Sequence, residues 1–541
     1  MKDISSTGSF VDFTLENFIY VDKTVYIPQL VKLKRVFISR PRRFGKSLTL
    51  DTIATLFETG VEPYFKGTWI YDKWTEPTYP VLRLNFLNFD KNTLEKFNNK
   101  LNSKITEFAE LNQVTTYKEK DEAEDSIDHL LEQLRLEGRQ IVILIDEYDC
   151  QMTANINNET LYKQFQEKIK SFYANIKDKF AIKFLGITGV TRLKDVSIFS
   201  VGSDINDITN ASAYSQMIGF TRDEIKKYYI DYLKLASSYE NNCSVDDVTD
   251  TQLESMLDMM AQNYDGYCFD EDYEKKVFST WSVNKFFQTM IEKKKVQFGE
   301  YWYDNGGLPS ILVNYLKTHE LNIFEYLDKD KFLKVSSDDF KNPTALTTIN
   351  QNVLMCQTGY LTLRSDLNKT STVALGIPNG EIYKALNRLL ANNIFKGNTD
   401  ITDDYGRSLL EVGTVDDIIN LFNSALNSVS YDNYPIVSES SVQNMLKLYL
   451  LGAHQEVLSE VHEAKGRADL VVNTDNRRIV FEFKYAKNEV EAKSKLSEAV
   501  EQIKTRDYGN ILPKKNELIR IAAVFNADPK VRAFTENQIV P

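Results

Sequence analysis

The sequence is poor in cysteine and histidine, the residues that most often build disulfide frameworks and zinc sites. It has four of each in 541 residues, without a Cys-x-x-Cys pair or a common zinc spacing. We therefore expect reduced thiols and assign none of these residues to a metal. The eight residues are Cys150, Cys243, Cys268, Cys356, His129, His319, His454 and His462.

Long apolar segments are absent as well. No uninterrupted run reaches the roughly 18 residues that a membrane helix needs, and residues 1–6 lack the apolar stretch of a signal peptide. We expect an intracellular protein without a membrane partner, cytoplasmic in the first place, with the nucleus left open. Because 541 residues exceed one ordinary core, the chain should fold into about two to four domains.

An excess of positive charge is also missing. The formal net charge is −12, and residues from Tyr431 onward carry 16 basic and 16 acidic side chains, so the whole excess of acid lies before Tyr431. This balance argues against a protein coated in positive charge, as a nonspecific nucleic-acid binder would be. Any nucleic-acid site must therefore be a local groove.

What the chain does carry is the tripeptide Gly-Lys-Ser at residues 45–47, directly after the apolar run 36–39. In the usual phosphate loop, G-x-x-x-x-G-K-[ST], backbone N–H groups surround phosphate oxygens, the lysine reaches the β- and γ-phosphates, and the hydroxyl holds Mg²⁺. Arg40 stands where the first glycine is usual, so the pattern is incomplete. Apolar residues at helical spacing from Leu48 onward complete the order strand, loop, helix. The alternative is a basic surface turn.

A second motif supports the first. Five consecutive apolar residues, 141–145, are followed by Asp146 and Glu147, as in a buried parallel strand with carboxylates at its C-terminal end. We expect Ser47 and Asp146 to hold Mg²⁺ and Glu147 to polarise the attacking water as the catalytic base. The alternative is a core strand that ends in two solvated acids.

Two further segments, 80–86 and 182–192, have the composition of strands. This chain order, with a strand between the loop and the acids and a later strand ending in a polar residue, is that of P-loop ATPases with a catalytic glutamate. Thr188 would then sense the γ-phosphate, and Arg192 is either a catalytic charge stabiliser or half of a structural ion pair. The residues expected to contact the nucleotide are Arg42, Arg43, Phe44, Gly45, Lys46, Ser47, Leu48, Asp146 and Thr188.

The order of four segments is itself informative. They are Tyr-Val-Asp-Lys-Thr at 20–24, Arg-Pro-Arg-Arg-Phe-Gly-Lys-Ser-Leu at 40–48, Ile-Asp-Glu-Tyr-Asp at 145–149 and Thr-Gly-Val-Thr-Arg at 188–192. Together they resemble the AAA-ATPase-like family over roughly residues 8–220. The resemblance implies an α/β fold in which helices flank the parallel sheet of a P-loop NTPase, with Mg-ATP as ligand and Arg40 as the family's own variant. Residues 263–267 and 301–302 also resemble family landmarks, of unknown chemical role.

The loop region is rich in positive charge, because residues 32–46 contain seven Lys and Arg and no acid. We expect these side chains to balance a triphosphate and its neighbouring carboxylates, with contact to nucleic acid as the alternative.

The middle of the chain, residues 221–430, is expected to be mainly helical. Thr221 with Glu224 fits an N-terminal capping box, and segments 282–287 and 380–386 suggest further helices. By analogy with the order of elements in similar proteins, we expect a helical lid followed by a winged-helix-like region.

A second group of chemically active residues comes late in the chain. Strands at 466–472 and 479–484, joined by a polar turn, would form a hairpin that carries Asp469 on one strand and Glu482 and Lys484 on the other. Two carboxylates and a lysine suffice for metal-assisted cleavage of a phosphodiester, with Mg²⁺ or Mn²⁺ on the carboxylates and Lys484 near the attacking water. The alternative is a Glu-x-Lys pair on a solvated edge strand.

This spacing resembles the PD-(D/E)XK nuclease superfamily over roughly residues 435–530. Ala468 stands where the family name has proline. The resemblance implies that Glu439, at the start of a preceding helix, adds a metal ligand. It extends to a following helix with Gln502 before Tyr508, which are like the Gln and Tyr of some members.

We therefore expect an AAA-like P-loop ATPase domain at 1–220, a helical and winged-helix-like region at 221–430, and an α/β restriction-endonuclease-like domain at 431–541 that acts on DNA or RNA. The alternative is a nucleotide-switched interaction protein whose C-terminal domain binds nucleic acid or protein without cleaving it. A Ser or Cys hydrolase has no supporting motif. A homo-oligomer is left open.

Overall fold

The computed structural model describes the chain except for ten segments: 177–178, 194–204, 305–309, 317–318, 320–322, 344, 396–405, 454–455, 464–465 and 510–516, so that His454 lies outside the described residues. The chain divides into two compact units. Unit 1 comprises Met1–His319 and Phe332–Ile382, and unit 2 comprises Glu320–Lys331 and Tyr383–Pro541. The boundaries of three functional domains stay a prediction.

Unit 1 contains a five-stranded parallel sheet in the order β2-β3-β4-β1-β5. Its strands are β1 (Arg35–Ser39), β2 (Val81–Asn85), β3 (Ile141–Asp146), β4 (Ile182–Gly189) and β5 (Asn206–Asp207). All six residues of β3 are buried, because this strand is covered on both faces. This burial explains the unbroken apolar run in its sequence. The predicted parallel α/β fold is confirmed. In space β4 lies between β1 and β3, whereas β2, which separates them in the chain, lies at the edge.

The register of this sheet brings its chemically active ends to one edge. Ser39 pairs with Gly189, Ile38 with Thr188, and Asn85 with Asp146. Because the carboxyl ends of parallel strands meet at the same edge, the loop after β1, the acids after β3 and the polar end of β4 become neighbours.

Strand β4 ends at Gly189, whereas the segment that predicted it extends to residue 192. The chain turns there because the buried Asp149 carboxylate accepts hydrogen bonds from the backbone N–H groups of Val190 and Thr191, at 3.2 and 2.6 Å. A Cβ at Gly189 would collide with the ring of Tyr148, so the close approach requires glycine.

The sheet of unit 1 is accompanied by helices before and between its strands. They are α1 (Phe10–Leu15), α2 (Ile27–Leu33), α3 (Lys46–Thr59), α4 (Leu94–Leu111), α5 (Ala123–Leu136), α6 (Cys150–Ala154) and α7 (Glu159–Ile176). Helix α3 begins directly after the phosphate loop, as predicted.

The rest of unit 1 is mainly helical, and its helices between residues 222 and 293 share an apolar core that includes Tyr229, Leu257 and Phe286. The capping box of Thr221 and Glu224 is present. The elements are α8 (Arg222–Tyr228), α9 (Ile230–Asn241), α10 (Asp250–Tyr264), α11 (Thr280–Lys293), α12 (Tyr301–Asp304), α13 (Ser310–Leu316), β6 (Leu333–Ser336), α14 (Ser337–Lys341), α15 (Gln351–Thr358), β7 (Thr362–Leu363) and β8 (Thr372–Gly376). Helix α16 (Gly380–Ile394) begins in unit 1, and its residues from Tyr383 onward belong to unit 2. The order β6-β8-β7 forms a small antiparallel sheet. The winged-helix-like region stays a prediction.

Unit 2 contains a five-stranded mixed sheet in the order β13-β12-β11-β10-β9. Only β11 and β12 pair in parallel, because helix α20 connects them as a crossover. The elements are α17 (Arg407–Val412), α18 (Val415–Asn427), α19 (Glu439–Gly452), β9 (Glu456–Glu463), β10 (Gly466–Asn473), β11 (Arg477–Ala486), α20 (Glu489–Arg506), β12 (Glu517–Asn526) and β13 (Ala533–Ile539).

The predicted hairpin is the pair β10 and β11. Their register pairs Leu470 with Phe481 and Val472 with Ile479, and the turn closes with a 2.8 Å hydrogen bond from the N–H of Thr474 to the carbonyl of Arg477. The core beneath this sheet includes Val471, Val480, Ile503 and Tyr508. None of the described helices in either unit is long and apolar enough to cross a membrane.

Candidate functional site

The phosphate loop of unit 1 connects β1 to α3. Gly45 has φ +101°, a left-handed conformation that glycine adopts without strain, and it stands directly before the first residue of α3. The loop therefore ends where the N–H groups of a helix N-terminus are available to an anion.

The predicted magnesium ligands lie together at this edge of the sheet. The hydroxyl of Ser47 donates to Asp146 Oδ2 at 2.6 Å, and the hydroxyl of Thr188 donates to the other oxygen of the same carboxylate. The side chain of Lys46 is only 3% exposed, and its Nζ lies 3.8 Å from Glu147 Oε1. Residues from three separate strand ends thus converge on one point.

Glu147 lies where a catalytic base is expected. Burial raises the pKa of its carboxyl above the ordinary 4.5, the charge of Lys46 opposes this, and the charges of Asp149 and Asp146 add to it. Its backbone N–H donates a 3.0 Å hydrogen bond to Asp146 Oδ1, which fixes the orientation of the Asp146 carboxylate relative to Glu147. A carboxylate with a raised pKa accepts a proton from water more readily than an exposed one.

A cavity of about 350 Å³ adjoins the loop, a size that suits a small organic ligand. Its wall includes the loop residues Arg42–Thr49 together with Glu147, and the opposite side is largely apolar. Much of that apolar side comes from residues that sequence reasoning left without a role. They include Ile19, Tyr20, Val21, Tyr26, Ile27, Leu30, Met217, Ile218, Phe220 and Trp281.

The segment at 20–24 explains part of this wall. Asp22 accepts hydrogen bonds from the backbone N–H groups of Thr24, at 2.9 Å, and Trp69, at 2.6 Å. Lys23 Nζ donates to Glu224 Oε2 at 2.6 Å. These contacts hold Tyr20, Lys23 and Thr24 against the cavity. The segment therefore has a structural role as part of the cavity wall.

Arg40 does not take part in the positive charge that we expected around the phosphates. It is 1% exposed, and its Nη1 donates to the carbonyls of Ser39, at 2.9 Å, and Thr209, at 2.6 Å. Its guanidinium lies 4.2 Å above the ring of Phe269, and burial lowers its pKa to about 9. The residue at the first glycine position is a buried structural arginine.

Arg43 also points into the protein. Its Nη1 donates to the carbonyls of Tyr301 and Trp302, at 3.2 and 3.4 Å, and its guanidinium lies 4.5 Å above the ring of Trp281. The adjacent Phe44 is 1% exposed. The landmark at 301–302 thus anchors Arg43 of the loop.

Phe44 is held by an aromatic cluster. Its ring lies edge-on to those of Tyr267 at 4.7 Å, Phe269 at 5.4 Å and Trp302 at 5.9 Å. The landmark at 263–267 therefore supports the phosphate loop through Tyr267. This contact was not predictable, since the residues lie more than two hundred positions apart.

Glu381 lies beneath this anchor and was missed by the sequence analysis. It is 2% exposed, accepts a hydrogen bond from the N–H of Trp302 at 2.8 Å, and accepts another from the hydroxyl of Ser282 at 2.7 Å. Burial raises its pKa to about 8. In the sequence it resembles an ordinary acid in the first turn of a helix.

Arg192 forms an ion pair with Asp207. Its backbone is fixed as well, because its N–H donates to Gln357 Oε1 at 3.3 Å and its carbonyl accepts from Gln357 Nε2 at 3.2 Å. These contacts are those of a structural ion pair, and the catalytic role of Arg192 stays a prediction that would require its guanidinium to leave Asp207.

Unit 2 brings the four predicted nuclease residues to one point. Lys484 Nζ lies 2.9 Å from Glu482 Oε1 and 3.2 Å from Glu439 Oε1. Asp469 Oδ2 accepts a 2.8 Å hydrogen bond from the N–H of Phe483, which lies between the other two residues on β11. The hairpin register and the start of α19 together create this group.

Glu482 is the buried centre of the group. Its side chain is 0% exposed, and its Oε2 has no hydrogen-bond partner among the described residues. Burial, followed by the charge of Asp469, raises its pKa to about 7, while Lys484 opposes the rise. A buried carboxylate oxygen without a partner is costly unless a cation satisfies it.

Glu439 stands beside Lys484. Within the described ranges, no group of three or more His, Cys, Asp or Glu side chains is arranged to hold a metal ion. The assignment of Glu439 as a metal ligand therefore stays a prediction, and its observed partner is the lysine.

Two residues near this group were missed. The amide of Gln443 on α19 donates to the carbonyl of Asp469. Arg506 donates to the hydroxyl of Tyr508 at 2.8 Å, and Gln502 donates to the same oxygen at 3.4 Å. A Cβ at Gly466 would lie 2.5 Å from Arg506 Cδ, so this glycine makes room for the arginine.

Two family models match this chain, one over a range in each unit. The model of a family described as predicted AAA-ATPases matches residues 5–199, and that of the PD-(D/E)XK nuclease superfamily matches residues 437–535. An uncharacterized protein in the vnfD 5′ region of Azotobacter chroococcum mcd 1 is 26% identical over 535 residues, which are 95% of this chain and 94% of that protein.

Two solved structures are similar at low identity. The Walker-type ATPase PABY2304 of Pyrococcus abyssi aligns with 67% of this chain and 94% of its own length, at 11% identity and a TM-score of 0.35. Cdc6p of Pyrobaculum aerophilum aligns with 68% of this chain and 91% of its own, at 10% identity and a TM-score of 0.22. The two family models confirm both resemblances found in the sequence. The chain thus carries an AAA-ATPase-like domain at residues 5–199 and a PD-(D/E)XK nuclease superfamily domain at residues 437–535.

Proposed function

We propose that this protein binds and hydrolyses Mg-ATP in unit 1 and cleaves nucleic acid with a divalent metal in unit 2. The observation that carries the first part is the convergence of Lys46, Ser47, Asp146, Glu147 and Thr188 at one edge of a parallel sheet. This is the set of groups that transfer of a phosphoryl group to water requires.

The triphosphate lies over the loop, and the base enters the apolar cavity beside it. Lys46 Nζ donates to the carbonyls of Arg40 and Pro41, at 3.0 and 3.1 Å, and exchanges these acceptors for phosphate oxygens when ATP binds. The hydroxyl of Ser47 and the carboxylate of Asp146 offer the oxygen ligands that Mg²⁺ prefers. The bound metal supplies neutralisation of the β- and γ-phosphate charge.

In the hydrolytic step, Glu147 accepts a proton from the attacking water. The water oxygen forms a bond to the γ-phosphorus while the bond from that phosphorus to the β–γ bridging oxygen breaks, and ADP leaves with the electron pair. The products are ADP and inorganic phosphate. Thr188, whose hydroxyl contacts Asp146, is positioned to respond to the presence of the γ-phosphate.

Substitution of Lys46 tests the first part. We expect Lys46→Ala to lose ATP affinity by about tenfold or more, because a charge-assisted contact to phosphate disappears from a dry site. Lys32→Ala is the matched control, since Lys32 is exposed on α2 and does not line the cavity. Equal ATP affinity and turnover in wild type and Lys46→Ala would refute nucleotide binding at this loop.

Two carboxylates of unit 2 are available as ligands to a divalent cation. Asp469 and the partnerless Oε2 of Glu482 offer carboxylate oxygens, and Lys484 lies within 2.9 Å of the same glutamate. When bound, the cation supplies Lewis-acid activation of a phosphodiester and of water. Lys484 then helps to orient the water and offsets the negative charge that develops on the phosphate.

Cleavage is tested on single- and double-stranded DNA and RNA with Mg²⁺ or Mn²⁺. We expect Asp469→Asn and Lys484→Met to abolish cleavage, because each removes one of the groups that the reaction needs. Lys487→Met, an exposed lysine three positions further on, is the matched control for loss of charge. Nuclease activity that survives both site substitutions would show that it arises elsewhere.

One observation favours a second candidate function. Lys484 lies between Glu439 and Glu482, and no three-ligand metal group is found in the part of the chain that the structure describes. An ion-paired site of this kind suits a domain that binds nucleic acid or protein under control of the nucleotide without cleaving it. Binding of nucleic acid without cleavage under every metal condition, and unchanged in Lys484→Met, would support this alternative.

A further inference from the structure

The cations around the phosphate loop differ in what they already bind. Arg40 and Arg43 donate to backbone carbonyls, Lys46 donates to two carbonyls of the loop itself, and Arg192 is paired with an aspartate. Arg42 is different: within the described ranges it makes no hydrogen bond and no ion pair. It is also only partly buried, so its guanidinium is available to a ligand.

The position of Arg42 indicates which part of a nucleotide it reaches. It lines the same cavity as Lys46 and Glu147. Lys46 Nζ lies 3.8 Å from Glu147 Oε1, so these two side chains face the same part of that cavity. Glu147 is the residue that faces the attacking water in the proposed hydrolysis, so Arg42 lies on the γ-phosphate side of the loop.

We propose that Arg42 binds the γ-phosphoryl group of ATP and stabilises the negative charge that develops there during hydrolysis. This inference rests on the proposed ATPase function and names a specificity-determining, catalytic residue for it. Arginine suits this task because its planar guanidinium donates two parallel hydrogen bonds to phosphate oxygens. Arg42 thus takes the role for which the sequence had suggested Arg192.

A consequence is discrimination between ATP and ADP. An arginine that binds only the γ-phosphoryl group contributes to the affinity for ATP and not to that for ADP. Arg43, whose guanidinium is occupied by Tyr301 and Trp302, acts on the loop as a positioning residue and should not distinguish the two nucleotides.

The test compares Arg42→Met and Arg42→Lys with wild type, with Lys32→Met as the control for loss of a nearby exposed charge. ATP turnover is measured together with the affinities for ADP and for the nonhydrolysable β,γ-imido analogue of ATP. We expect kcat of Arg42→Met to fall about 100-fold, the size found when one donor to a developing oxyanion is removed. Affinity for the analogue should fall about tenfold and that for ADP less than about twofold.

Arg42→Lys should recover part of the turnover, because it keeps the charge but not the paired hydrogen bonds. The inference is overturned if kcat of Arg42→Met stays within about threefold of wild type, or if the analogue and ADP weaken by the same factor. If Arg42→Met does not fold, full wild-type kcat in Arg42→Lys overturns it instead. Failure of the proposed function looks different, because turnover would then also be unaffected by Lys46→Ala.

Discussion

Glu381 gives the most specific prediction about unit 1. Its carboxyl is buried beneath the anchor of the phosphate loop, between the N–H of Trp302 and the hydroxyl of Ser282. Glu381→Gln keeps the size of the side chain, an oxygen for Trp302 and a polar partner for Ser282. The substitution therefore removes the ionisation and little else.

The magnitude follows from the pKa. Burial raises it from 4.5 to about 8, so the folded unit retains a proton that the unfolded chain releases between these two pH values. Because the folded state binds more protons in this window, stability falls as pH rises from about 4.5 to about 8 and levels off above it. At about 1.4 kcal/mol per pH unit, the full difference reaches about 5 kcal/mol, and about 2 to 3 kcal/mol accrue between about pH 6 and pH 8.

The assay is urea unfolding followed by tryptophan fluorescence. All four tryptophans, Trp69, Trp74, Trp281 and Trp302, lie in unit 1, so the signal reports on this unit alone. We expect the free energy of unfolding of Glu381→Gln, relative to wild type, to increase over this pH range, whereas Glu292→Gln, at an exposed site on α11, leaves the profile unchanged. A difference between Glu381→Gln and wild type that does not vary with pH would refute the burial argument.

Three further predictions concern the two sites. Gly189→Ala should destabilise unit 1 by about 1 to 3 kcal/mol, measured by the same urea assay, because the new methyl group collides with the ring of Tyr148; an unchanged midpoint would contradict this. Gly466→Ala should displace Arg506 and lower nuclease activity at unchanged thermal stability, and full activity would show that the position of this arginine is unimportant. Removal of divalent metal with EDTA should abolish nucleic-acid cleavage and Mn²⁺ should restore it, so cleavage that persists in EDTA would exclude a metal-dependent reaction at this site.

The convergence of the ATPase residues was predictable because it depends on short-range rules. An apolar run that ends in Asp146 and Glu147 predicts a parallel strand, and a loop that ends in Lys46 predicts a helix start. Since parallel strands place their carboxyl ends at one edge, the neighbourhood of these residues and Thr188 follows from the pattern.

The grouping of the predicted nuclease residues was predictable for a similar reason. A tight polar turn fixes the register of a hairpin, and that register places Asp469 beside Glu482 and Lys484. The position of Arg506 was not predictable. Its side chain packs against Gly466, forty residues earlier, where only a residue without a side chain leaves room for it.

The direction of the loop arginines could not be predicted either. The sequence places Arg40 and Arg43 in one basic run, and their charge alone predicts that both contact phosphate. Three of their acceptors, the carbonyls of Thr209, Tyr301 and Trp302, lie 169 to 259 positions away in the chain. Such contacts are set by tertiary packing, which local patterns do not encode.

The most direct test of the account is a single-turnover measurement of phosphate release from γ-labelled ATP by wild type and by Glu147→Gln. We expect that both proteins bind ATP, that wild type releases labelled phosphate, and that Glu147→Gln releases it at least about 100-fold more slowly, because the group that accepts the proton of water is lost. Equal rates of release from the two proteins would contradict the assignment of this site as the centre of ATP hydrolysis.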